Sequence, residues 1–141
     1  MTHAMRLLLV LYLACLPLLM SAKDAEPGDS TGTGDITPAV ASALRSGNAS
    51  ALAAYFNSTI DLTLPGSEGT YSRSQAELIV KGFFNMNKPS DFTIQHKGSS
   101  GEGSQFCIGL LNTDNGDFRT YFLIKTITQQ SVITQLQFEE I

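Results

Sequence analysis

The stretch QFCIGLLNTDNGDFRTYFLIKTIT, Gln105–Thr128, decides the fold. It reads as two strands, Gln105–Thr113 and Asp117–Thr128, joined at Asn115-Gly116. That dipeptide is the strongest short hairpin signal, because both residues tolerate positive φ. The strands are apolar on both faces. Phe118, Phe122 and Ile124 oppose Tyr121, Leu123 and Ile127. Phe106, Ile108 and Leu110 oppose Cys107 and Leu111. Helices can cover one face of such a sheet, and the other needs a second cover. A partner subunit is the simplest one, so a homodimer formed through the sheet is expected.

Working outward, Asp91–Gly98 and Val132–Glu140 are the outer strands of an antiparallel meander, the last turned by Gln129-Gln130-Ser131. Upstream the period changes to that of helices. Thr37-Pro38 reads as a cap with proline at the first helical position, and Val40, Ala41 and Leu44 recur at helical spacing until Gly47. Asn48 caps a second short helix carrying Leu52, Ala53, Tyr55 and Phe56. From Ser58 to Leu64 the period is two, and Pro65-Gly66 closes that strand. Ser74-x-x-Glu77 has capping-box spacing and opens a third helix. Ala76, Ile79, Val80, Phe83 and Phe84 form its apolar face, and Pro89 marks its end. The expected fold class is α+β, with three N-terminal helices packed on a curved antiparallel sheet.

The first 22 residues set an address. Arg6 precedes the apolar run Leu7–Met20, which exits through Ser21-Ala22, the three parts of a secretory signal peptide. The run is shorter than a membrane span and Pro17 interrupts it. The expected domains are a signal peptide at 1–22, a flexible leader at 23–34 and one domain at 35–141. Periplasmic or extracellular export follows, with no membrane association after cleavage. The alternative is a lipid anchor on Cys15, which the preceding Tyr12-Leu13-Ala14 fits poorly. Removing Arg6, the one charged residue of that segment, takes the formal charge from −4 to −5. This argues against a nucleic-acid partner, whose phosphates demand clustered Lys and Arg. Of the two cysteines, only Cys107 remains after cleavage, so no internal disulfide is available. Flanked by Phe106 and Ile108, it reads as a small core residue. No motif for a metal or another cofactor is present.

Candidate chemistry is sparse. His96, the one histidine of the mature domain, shares a strand face with Phe92 and Ile94. That parity aims it at the apolar side, as a proton-transfer group in a pocket or as a hydrogen-bonded core residue. Arg119 and Tyr121 share a face, where paired donors can hold an anion or an arginine can serve a dimer seam. Asp61 lies opposite Ile60, Leu62 and Leu64 and reads as solvent-facing.

The order of elements resembles the nuclear-transport-factor-2-like (cystatin-like) cone. The chain from about Ile36 onward is similar to an uncharacterised family of exported bacterial proteins with that fold. The residues that carry the resemblance are Ser46-Gly47-Asn48, Tyr55-Phe56, Tyr71-Ser72-Arg73-Ser74-Gln75-Ala76-Glu77, Phe83-Phe84, Phe92–Gly98, Ile108-Gly109 and Phe118–Tyr121. It implies a pocket between the sheet and the long helix, and no known activity. His96, Arg119, Tyr121, Phe83 and Phe92 are then the candidates to line it. The favoured reading is a non-catalytic exported module binding a small molecule or partner protein through pocket or sheet. The alternative is a cofactor-free isomerase- or lyase-like enzyme using His96.

Overall fold

The computed structural model describes residues 34–141. The expected signal peptide, Cys15 and nearly all of the leader lie outside them. Three helices and six strands follow in the order α1 (Thr37–Ser46), α2 (Ala49–Ala53), β1 (Phe56–Leu64), β2 (Ser67–Ser72), α3 (Arg73–Met86), β3 (Pro89–Ser99), β4 (Gln105–Thr113), β5 (Gly116–Ile127) and β6 (Gln130–Glu140). The strands form one curved sheet in the order β2-β1-β6-β5-β4-β3.

Two features differ from the expected arrangement. The third helix follows two strands rather than one, because Ser67–Ser72 returns as β2 against β1. It has little apolar alternation to announce it; five of its six residues are polar or glycine. The sheet is also not wholly antiparallel. β6 runs parallel to β1, since α3 carries the chain from one sheet edge to the other before the meander begins.

Local chemistry explains the boundaries. Ile36, rather than Thr37, is the N-cap residue of α1 and carries no side-chain cap; just before it, Asp35 Oδ1 accepts the Thr37 N–H at 2.9 Å. Gly47 ends the helix at φ 65°, where a Cβ would also strike the Pro89 ring at 2.9 Å. The capping box of α3 is Ser72 with Gln75, two residues upstream of the expected pair. The middle hairpin turns through Asp114-Asn115, with Gly116 at φ 115° as the first residue of β5. The last turn is Thr128-Gln129, both at positive φ as a two-residue primed turn requires.

The helices lie on one face of the sheet, called here the inner face. Arg73 Nε donates to the Phe56 carbonyl at 2.9 Å and ties the start of α3 to β1. Asn87 ties its end to the hairpin, receiving the Asn115 amide at 3.1 Å. Arg45 Nη2 donates to the Phe92 carbonyl at 3.0 Å and fastens α1 to β3. The inner core is aromatic. The Phe83 ring stacks on Phe138 at 4.6 Å and meets Phe118 edge-on at 5.0 Å, with Phe84 6.0 Å from Phe138. Phe92 lies over Gly109, where a Cβ would stand 2.4 Å from its ring. Among these side chains sits Thr120, fully buried, its hydroxyl without a hydrogen-bond partner.

Two outcomes follow. Thr120→Val removes an orphaned hydroxyl at nearly constant shape, so urea unfolding should show stability unchanged or raised by up to about 1 kcal/mol. Asp35→Ala should lower stability by about 1 kcal/mol at neutral pH, the usual net worth of one hydrogen bond. Bonds from Thr37 and the nearby Lys97 hold the Asp35 carboxyl below its ordinary value. Its contribution is therefore present above the unfolded-state carboxylate value and is lost as pH falls through the lowered one. The variant's deficit should shrink on acidification.

Candidate functional site

Register assigns every strand residue to a face, because directly paired residues point the same way. On the inner face lie Leu111, Gly109 and Cys107 of β4, paired with Phe118, Thr120 and Phe122 of β5. Leu136 and Phe138 of β6 continue those rows. Phe83 and Phe92, two of the expected pocket residues, are buried here. They fill the space between helices and sheet rather than line an opening.

The other three candidates lie on the opposite, outer face. For Arg119 and Tyr121 the parity is simple, since both alternate with Phe118, Thr120 and Phe122. His96 arrives there through a bulge. Ile94 pairs with Gly109 but His96 pairs with Ile108, so Gln95 is an extra residue in β3. One inserted residue reverses every later side chain. His96 therefore leaves the face it shares by count with Phe92, and it is exposed. Lys97 takes the inner side instead, paired with Cys107 and reaching Asp35 at 3.4 Å.

His96, Arg119 and Tyr121 thus share a face but not an enclosure. His96 and Tyr121 stand in one row, separated by Ile108. At about 4.8 Å per strand their backbones are about 10 Å apart, beyond direct hydrogen bonding. Arg119 and Tyr121 line a shallow depression of about 180 Å³ with Ile108, Gln137 and Glu139. A second, of about 320 Å³, adjoins it through Gln137 and includes Asp61, Thr63 and Glu68. Asp61 is exposed, as its parity indicates, and accepts the Thr70 hydroxyl at 2.6 Å.

The outer face has an apolar centre. Phe106, Ile108, Leu110 and Tyr121 are half-buried. Leu123 and Val132 are each 8% exposed yet stand apart from the inner core. Around them are Arg119, Gln135, Gln137, Glu139 and His96. The importance of Gln135, Gln137 and Glu139 escaped sequence reading. Their alternation with Leu136 and Phe138 was a usable signal, but their neighbours across the strands were not readable.

Other chemistry is quiet. Burial pushes the Cys107 thiol up to about 11, which makes it a packing residue. Among the described residues no three His, Cys, Asp or Glu side chains could hold a metal ion. No described helix is long and apolar enough to cross a membrane. A groove of about 750 Å³ runs between the α1–α2 turn and α3. Its Lys81 and Asn85 are exposed, and it lacks an aromatic wall.

With this geometry in hand, comparison places the chain among relatives. A family model described as a domain of unknown function, DUF4783, matches residues 37–139. A DUF4783 family protein from Bacteroides ovatus ATCC 8483 is 30% identical, with a TM-score of 0.70 over 73% of this chain and 93% of its own. One from Bacteroides fragilis YCH46 is also 30% identical, with a TM-score of 0.70 over 76% and 100%. An NTF2-like protein of unknown function from Cytophaga hutchinsonii ATCC 33406 shares the fold at 14% identity, with a TM-score of 0.55 over 77% and 89%. No curated protein matches the chain.

If His96 is an exposed outer-face residue, His96→Ala should shift unfolding free energy by less than about 0.5 kcal/mol. A core histidine bonded to a buried partner would cost several times more, which denaturant titration resolves.

Proposed function

This chain belongs to the DUF4783 family, a domain of unknown function, and from that premise we propose an exported, non-catalytic binding module whose working surface is the outer face of the sheet. The partner seated on that face is a second copy of the chain. Export rests on the pattern of residues 1–22.

The observation that carries the reading is the distribution of apolar side chains. Phe83, Phe84, Phe118 and Phe138 occupy the space between α3 and the sheet. The second apolar surface, centred on Ile108, Leu110, Tyr121 and Leu123, lies on the outside without a covering helix. An apolar centre ringed by polar residues is the usual anatomy of a protein interface. A face built from one sheet suits a two-fold pairing, in which the same patch serves both partners. The enzyme alternative is the less favoured reading, because among the described residues His96 is exposed and shares no enclosed space with Tyr121 or Arg119.

Sedimentation velocity on the mature chain at about ten micromolar should show a dimer, since stable interfaces of about 800 Å² per partner are well within reach of such a sheet. Ile108→Lys, at the centre of the patch, should yield a monomer that still unfolds cooperatively, with a melting temperature that no longer depends on protein concentration. A wild-type chain that sediments as a monomer rejects the reading.

A further inference from the structure

The outer face carries its charges asymmetrically. Acidic residues that form no ion pair among the described residues lie on the β2-β1-β6 half: Glu68, Asp61 and Glu139. The cations of the face, Arg119 and Lys125, both lie on β5, and His96 is on β3. Two further carboxylates on that half are already engaged: Asp91 pairs with Arg45, and Asp117 accepts the Asn112 amide. Arg119 and Glu139 are direct cross-strand neighbours on β5 and β6, and both are exposed. Yet the ion pairs among the described residues are Arg45–Asp91 and Lys97–Asp35.

We infer that the two copies pair about a two-fold axis lying between the sheets, along the strands and between β5 and β6. Arg119 of each copy then meets the partner's Glu139. This rests on the self-association proposed above and specifies its geometry. An axis of that orientation sets β5 over the partner's β6, and β4 and β3 over the partner's β1 and β2. Arg119 faces the partner's Glu139, and by symmetry Glu139 faces the partner's Arg119. Farther out in the rows, His96 faces the partner's Glu68. Packed sheets cross at about 30°, which displaces the outlying pairs most and those beside the axis least. Arg119 and Glu139 flank the axis.

The competing in-plane axis runs across the strands and sets β5 on the partner's β5. Arg119 then faces an arginine, a leucine or a tyrosine. To reach the one acidic residue on that strand, Asp117, the copies must overlap only at their ends. Ile108 and Leu123 would then stay bare. Of the two, the axis along the strands gives Arg119 an acidic partner while Ile108 and Leu123 are covered; Lys125 and Asp61, which face the partner's Val132 and the partner's Phe106, take no part in the pairing.

The test uses charge reversal in the mature chain. Arg119→Glu alone sets two glutamates against each other at both contacts, and Glu139→Arg alone sets two arginines. Each should raise the dimer dissociation constant by at least about tenfold. Thermal melting checks that both variants fold. An equimolar mixture of the two should associate again, as a heterodimer, because each contact then joins glutamate to arginine. Recovery on mixing supports the axis along the strands. Single variants that dimerise like wild type overturn the charge register and leave the dimer standing. Single variants that dissociate without recovery on mixing overturn it as well. A monomeric wild type removes the dimer itself, and this geometry with it.

Discussion

The ribbon of β4 and β5 is apolar on both sides, and a single layer of helices can cover only one of them. Everything else in the molecule answers to that constraint. Burying one face requires α3 and α1 to lie along it, which the Phe83–Phe138 stack and the Arg45–Phe92 bond secure. It also requires the chain to pass from the β2 edge to the β3 edge, and α3 is the segment that makes the crossing. What is left over is a second apolar surface, and at about 25 cal/mol per Å² its exposure to water is a standing driving force for association.

The same constraint sets what the inner face can hold. A reaction site inside such a fold needs space and polar groups between helix and sheet. Here the inner face holds a cluster of four phenylalanine rings, and a buried hydroxyl among them, that of Thr120, has no partner. The polar candidates stand on the other side. The bulge at Gln95 is the hinge of that division. It turns His96 outward and brings Lys97 in toward Asp35 at the start of α1, where the ammonium finds a carboxylate. One extra residue in one edge strand thus decides whether the histidine belongs to the core or to the surface. Bulges in an edge strand also discourage pairing with a further strand, in keeping with the face-to-face association proposed above.

Much of the fold was legible in the residues themselves. The helical spacing of Val40, Ala41 and Leu44, the stop at Gly47 and the apolar face of α3 are local facts, set by neighbours within four positions. The two-faced character of β4 and β5 was legible for the same reason, and so was the outward aim of Asp61. β2 was not, because Ser67–Ser72 becomes a strand by pairing with β1 rather than by its own pattern. The candidate site was half legible. That Arg119 and Tyr121 share a face follows from a period of two. That His96 joins them, and that Glu139 is the neighbour of Arg119, depends on register.

The sequence by itself determined the class, the helices, the hairpin and an apolar excess that one helical layer cannot cover. These depend on interactions within a few residues, which the order of side chains states directly. The tertiary structure alone decided the parallel pairing of β1 with β6, the bulge at Gln95 and the side of the sheet on which each candidate stands. Those depend on hydrogen bonds between segments distant in the chain. A shift of one residue there exchanges inside for outside, and no local pattern records it.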